Sequence, residues 1–234
     1  CPYGRKVANP ISLFCQAEAI KTPPNKMKAH NLKKQSKLQV KSHKNSKVYP
    51  FGFVNIWPNT SSSRQRLKQI LQQWIQFSSA IDHKNFLELS RISEMIISAM
   101  SYYEKTGEIL TQDDIFLVAL KNETIDGIGV LTEDENSQYS KHLKFLVVAP
   151  RHLGAKGHGT PYRYVGSSII EKALDVSNSL TLEAGSKESG KAYTKMGFMP
   201  LTNESLEDAG EGILEGKKAT MFRKKLQQLR KEIN

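Results

Sequence analysis

The sequence predicts a mixed α/β domain: a central mixed sheet of about six to seven strands flanked by helices, behind a basic tail. Three observations predict it. First, HLKFLVVAP at 142–150 and SLTLEA at 179–184 are short apolar runs of strand length, and Pro150 stops the first. Second, Ile169, Ile170, Ala173, Leu174 and Val176 between them recur largely on one helical face. A strand, a crossover helix and a strand form a unit whose two strands lie parallel. Third, charge is segregated. Residues 1–47 hold eleven Lys or Arg and one acid, so +10 of the net +11 belongs to that stretch.

The 234 residues suffice for one good-sized domain and a tail. We divide them into a basic low-complexity tail at 1–47, a folded domain at 48–226 and a basic C-terminal tail at 227–234. The N-terminal tail is rich in Lys, Asn, Ser and Pro and is predicted to be largely disordered. Its charge suits an anionic partner, a nucleic acid or a membrane surface. A solvated leader and a cleaved targeting peptide stay open as readings. Both cysteines, Cys1 and Cys15, lie in this tail, so no disulfide framework holds the core and no metal cluster is expected. The default setting is reducing and cytoplasmic. No apolar run approaches the ~20 residues of a membrane span.

In chain order, VYPFGFVNIWP at 48–58 is the first strand and Pro58 ends it. Ser61 to Ser63 can cap a helix carrying the stripe Leu67, Ile70, Leu71, Trp74, Ile75 and Phe77. Asp82 is placed to cap a second helix, ended by Gly107. IFLVAL at 115–120 and TIDGIGVLTE at 124–133 form a hairpin across KNET, and the polar DENSQYSK leads to the 142–150 strand. After SLTLEA come a short helix through AYTKM and a strand near Leu201. An acidic loop at 203–216 and a closing strand at 217–226 complete the pattern.

Ligands of such parallel units bind where a loop follows the carboxyl end of a strand and opens a helix, here Arg151 to Ser168. The backbone N–H groups of about 163–168 there suit a pyrophosphate. LVVAP with its glycine-bearing loop and helix, AYTKMGF at 192–198 and ATMFRKKL at 219–226 resemble three segments of the GNAT (GCN5-related N-acetyltransferase) superfamily. The resemblance spans about residues 48–226 and is densest over 142–200. The family's phosphate loop reads Gln or Arg, two residues, Gly, one residue, Gly or Ala. Two registers fit here. One places Tyr164 and Gly166 at the first and last glycines, and the other places Arg163, Gly166 and Ser168 at the three motif positions.

The resemblance implies an acetyl-CoA-dependent N-acetyltransferase with a primary amine as acceptor. It implies that main-chain groups of Leu146, Val147 and Val148 hold the pantetheine arm, and that Arg163, Tyr164, Val165, Gly166, Ser167 and Ser168 meet the phosphates. Tyr193 stands where the family's general acid stands, Ser189 or Ser186 near a cofactor contact, and Lys195 within reach of phosphate. For the general base the residues leave Glu183, Glu133, His152 and His158 as candidates, with Glu183 preferred at the end of SLTLEA. Glu204, Glu207, Asp208, Glu211 and Glu215 would steer a cationic acceptor. Two other readings remain: a GNAT-fold acyl-CoA-binding or regulatory module without catalysis, and an anionic-surface binder working through the tail.

Overall fold

A computed structural model describes residues 47–50, 52–81, 84–107, 113–134, 137–153, 162–208 and 210–232. The basic tail up to residue 46, the expected Asp82 cap and His158 lie outside these residues, while Lys47 falls in the first strand.

The first apolar run divides around Pro50 into β1 (Lys47–Val48) and β2 (Val54–Trp57). Helix α1 (Ser61–Ser78) is capped one residue earlier than expected, because the Thr60 hydroxyl accepts the Ser63 backbone N–H at 3.3 Å. The expected stripe delivers Leu67, Leu71 and Trp74 to the core, while Phe77 stays exposed. Helix α2 (Lys84–Thr106) buries Phe86, Leu89, Ile96, Ala99 and Met100 and stops before Gly107. The hairpin forms as expected from β3 (Ile115–Lys121) and β4 (Thr124–Asp134). Its turn residues Asn122 and Glu123 both have positive φ, which suits the twist of a tight hairpin.

Strand β5 (Ser137–Val148) starts earlier than the polar DENSQYSK suggested. Cross-strand pairs sustain the ladder there, among them the Glu133–Lys141 ion pair. A short 3-10 turn at Pro150–His152 comes next, then β6 (Tyr162–Arg163), which pairs in parallel with β1 as a separate small sheet. Helix α3 (Val165–Val176) leads to β7 (Ser179–Glu183), and α4 (Lys187–Met196) to β8 (Met199–Pro200).

The C-terminal assignments are corrected. The closing strand is β9 (Glu211–Glu215), inside the acidic stretch, with Gly212 and Leu214 buried at a period of two. KKATMFRKKL is not a strand but part of α5 (Gly216–Lys231). Its inward residues Ala219, Phe222 and Leu226 are spaced three and four apart, a helical period that no strand could bury on one face. The helix also runs into the expected 227–234 tail, as far as Lys231. There Arg230 donates to Glu171 at 2.6 Å, to Ser168 Oγ at 2.9 Å and to the Tyr49 carbonyl at 3.1 Å.

The main sheet has the order β2-β3-β4-β5-β7-β9-β8. Every neighbouring pair is antiparallel except β5 with β7. This is the seven-stranded mixed sheet, flanked by helices, that the sequence led us to expect. Both faces are covered. Leu117, Ala119 and Leu131 pack with α3 and α5, while Phe116, Val118 and Val130 pack with α1 and α2. Strict alternation along β3 therefore feeds two separate cores.

Helix α4 is held unusually close to the 3-10 turn at Leu206–Asp208. A Cβ added at Gly190 would lie 2.0 Å from the Leu206 carbonyl oxygen and 2.5 Å from its carbon. The obstacle is backbone, so no rotamer change relieves it. We therefore expect Gly190→Ala to cost about 2–3 kcal/mol in urea unfolding. A loss below about 0.5 kcal/mol, the range of ordinary surface changes, would show that the two segments do not meet this tightly.

Candidate active site

Strands β5 and β7 share a ladder only from Ser140 with Ser179 to Leu143 with Leu182. Beyond it β7 ends at Glu183, while β5 runs on to Val148. The divergence coincides with a β-bulge. Leu131 of β4 faces Leu143, but Val130 faces Phe145, so Lys144 is an extra residue on β5. A bulge bends its strand and reverses the facing of the residues beyond it. Leu143 belongs to the core under α3, and past the bulge so do Leu146 and Val148, whereas Phe145 and Val147 join the α1–α2 core.

A cavity of about 820 Å³ opens at this divergence. Leu146, Val147, Val148, Glu183, Ser189 and Tyr193 all line it, so most of the residues expected to hold the acyl arm come together there. A second cavity of about 310 Å³ lies over the start of α3 and is lined by Arg163, Tyr164, Val165, Gly166 and Ser167. Val148 borders both cavities and joins the end of β5 to the helix start.

At that start Tyr164 adopts the left-handed conformation, φ +66. The first intrahelical bond runs from the Ser168 N–H to the Tyr164 carbonyl at 2.9 Å. The N–H groups of Val165, Gly166 and Ser167 precede it, where a helix leaves donors without internal acceptors and adds its positive end. Ser168 is already engaged within the protein. Its N–H is spent on that bond, and its hydroxyl donates to the Tyr164 carbonyl at 2.9 Å and accepts from Arg230 at 2.9 Å. Lys195 is exposed and lines neither cavity.

Tyr193 sits half-buried on α4 with its ring 5.5 Å from that of Phe198. Burial first, and then the charge of Glu88, push its hydroxyl up to about 12. The phenol therefore stays protonated and able to donate throughout the physiological range. Ser189 and Ser186 form a reciprocal cap at the N-terminus of α4, and Ser186 Oγ also donates to Glu88 Oε1 at 2.9 Å.

The candidate bases scatter. Glu183 lies at the cavity mouth beside Glu211, its partner across the ladder. Glu133 also lines the cavity but is paired with Lys141. His152 lines the smaller cavity and is buried with Nε2 2.6 Å from Asp126 Oδ1. Of the five acids expected to steer an acceptor, only Glu211 lines the large cavity. Glu207 lies 4.0 Å from Lys191, and Asp208 accepts from Ser205. The cavity has other acids instead: Glu88, Glu133, Asp134 and Glu183, facing Arg91 and Lys144.

Two lining residues escaped sequence reasoning. Glu88 is one polar position on a long amphipathic helix and carried no signal. His142 did carry one, because Ser140 and His142 alternate at a period of two on a strand read as buried. That strand holds no acid, but a histidine serves as a base equally well. In the structure Ser140 Oγ and Thr181 Oγ1 donate to Asp134 Oδ2 at 2.7 and 2.9 Å, and His142 Nδ1 lies 3.1 Å from Thr181 Oγ1.

No protein-family model matches the chain, and no curated protein matches it. Solved structures do. One is the PaiA N-acetyltransferase of Thermoplasma acidophilum in complex with coenzyme A, at 15% identity over 70% of this chain and 99% of that one, TM-score 0.42. Another is AtaTR bound with AcCoA, at 15% identity over 73% and 98%, TM-score 0.46. A third is an acyl-CoA N-acyltransferase from Pseudomonas aeruginosa, at 14% identity over 68% and 97%, TM-score 0.43. Among the described residues no helix is long and apolar enough to cross a membrane.

Behind the small cavity, Asp126 is the most committed charge. Burial pushes its carboxyl upward, but hydrogen bonds and charges from His152 and Arg151 outweigh that and hold it below the usual carboxylate range. A depressed native pKa stabilises the fold above the unfolded value of about 3.9, and that stability is lost as pH falls through the native value. We expect Asp126→Asn to cost about 3 kcal/mol at pH 7 in urea unfolding. The difference from wild type should narrow below about pH 4. A variant as stable as wild type at pH 7 would show that the cluster contributes nothing.

Proposed function

We propose that the chain is a GNAT acyltransferase that moves the acetyl group of acetyl-CoA to a primary amine, a protein lysine or N-terminus or a small cationic amine. One observation carries the reading. A parallel strand pair separates after Leu143 and Leu182, and the cavity there shares Val148 with a second cavity over a helix start with donors to spare. An acyl-pantetheine arm fits such a gap. It can complete the broken ladder with its own amides, as a missing strand would, against the main chain of Leu146 to Val148. The diphosphate then falls on the N–H groups of Val165, Gly166 and Ser167, with Arg163 beside them.

Acyl transfer to an amine needs a polarised carbonyl, a neutral amine held in line, and a proton for the departing thiolate. Fixed main-chain dipoles on β5 suit the first need. Tyr193, a phenol kept protonated by burial, suits the last. Glu183 at the cavity mouth serves as a candidate base or acceptor contact. Acids outnumber bases around the large cavity, which favours a cationic acceptor. Ser189 faces this cavity as a contact for the arm. The tail at 1–47 we assign by composition to an anionic surface, and the cytoplasm as its setting.

A non-catalytic acyl-CoA-binding module is the second reading. Tyr164 favours it, since in the register that places Tyr164 and Gly166 at the motif glycines a bulky left-handed residue stands where the family has glycine. Two measurements separate the readings. Calorimetric titration should show acetyl-CoA binding to the full chain, and absence of binding overturns both. Thiol release with a panel of amines should show turnover, and Tyr193→Phe should lower kcat about 100-fold with acetyl-CoA affinity unchanged. Binding without turnover on any amine leaves the second reading standing.

A further inference from the structure

Proton accounting along the β4-β5-β7 ladder defines a base. Asp134, as a carboxylate, can only accept. Thr181 has a single hydroxyl proton and places it on Asp134 Oδ2 at 2.9 Å. Its oxygen therefore meets His142 as an acceptor, and the proton of that 3.1 Å contact belongs to Nδ1. A neutral imidazole protonated at Nδ1 carries its lone pair on Nε2. His142 is also one of the residues lining the large cavity. It lies on the sheet face opposite Leu143, the same face as Thr181, away from the α3 core.

We propose that His142 is the general base of the transferase reaction, held in its tautomer by Thr181 and Asp134 as positioning residues. The proposal rests on the acyltransferase reading and gives it the group that the sequence left open. The cavity's acids mean that an amine arrives as an ammonium ion, which cannot attack until it loses a proton. Nε2 takes that proton, and the imidazolium formed is stabilised through Nδ1–H to Thr181 and on to Asp134. The amine nitrogen then bonds to the thioester carbon and the carbon–sulfur bond breaks. Tyr193 supplies a proton to the departing thiolate, and the second nitrogen proton, lost on collapse, replaces it on the phenol. One proton leaves overall, from His142 to solvent.

The charged groups that line the cavity with His142 come from several elements. Glu133 and Asp134 are on β4, Lys144 on β5, Glu183 on β7, Glu211 on β9, and Glu88 and Arg91 on α2. Burial, with a contribution from Lys144, holds the ring below its usual range, although Asp134, Glu211 and Glu183 oppose this. The ring is thus neutral, with its lone pair available, at neutral pH. The acid limb of kcat/KM should then fall below the ordinary histidine value of about 6.5.

The test uses the full chain with acetyl-CoA and, as acceptors, spermidine and a lysine peptide. His142→Gln should lower kcat/KM about 100-fold and remove the acid limb, with acetyl-CoA affinity unchanged. Thr181→Val should give a smaller loss and move the limb, and Thr181→Ser should restore both. A His142→Gln enzyme with wild-type kcat/KM and an intact limb, in a protein that Tyr193→Phe impairs, overturns this assignment and leaves the transferase reading in place. If Gln at 142 also weakens acetyl-CoA binding, the Thr181 pair decides: an unmoved limb overturns the relay. Failure of wild type to acylate any amine overturns both.

Discussion

A hydrogen-bond ladder that stops inside a sheet leaves donors and acceptors that something must satisfy. Strands β5 and β7 agree on a register only as far as Leu143 and Leu182, and the extra residue Lys144 then turns β5 away. The rest of the molecule is consistent with holding that gap open. Strand β4 continues to pair with β5 on its other side, as far as Gly127 with Val148. The departing strand is therefore rigid rather than frayed. Apolar side chains on both its faces are committed to two different cores, so the strand cannot swing back without emptying one of them.

The walls of the gap are tied by polar contacts that bridge distant parts of the chain. Ser186 at the cap of α4 bonds Glu88 on α2, and the Lys84–Glu188 ion pair joins the same helices at the surface. The second is exposed and contributes little, whereas the first is partly buried and fixes the helix that carries Tyr193. On the far side the Asp126, Arg151 and His152 cluster clamps the turn after β5 against β4. An Ala149 N–H to Asp126 carbonyl bond of 2.8 Å adds to that clamp.

Much of this was legible from residues. Short apolar runs on either side of an amphipathic helix announced the parallel pair, and the spacing of Tyr193, Lys195, Gly197 and Phe198 announced α4 and its end. What failed was local. EGILE was hidden because acids surround it, although two inward residues are all an edge-proximal strand needs. ATMFRKKL resembles a family strand, although its own three-and-four spacing points to a helix. The bulge left no mark because Lys144 looks like any polar residue in alternation. His142 carried only its place in the alternation, because the contact that orients it, with Thr181, lies 39 residues away and forms only through strand pairing.

Arg230 gives the C-terminal helix an unexpected reach. Its guanidinium grips Ser168 and Glu171 on α3 and the carbonyl of Tyr49, and Tyr49 in turn donates its N–H to Arg163. The start of α3 and the last turn of α5 are therefore tied together, separated by dozens of residues along the chain but by a single side chain in space. Without Arg230, Glu171, whose side chain is only 9% exposed, would be left as a buried carboxylate lacking its ion-pair partner on α5.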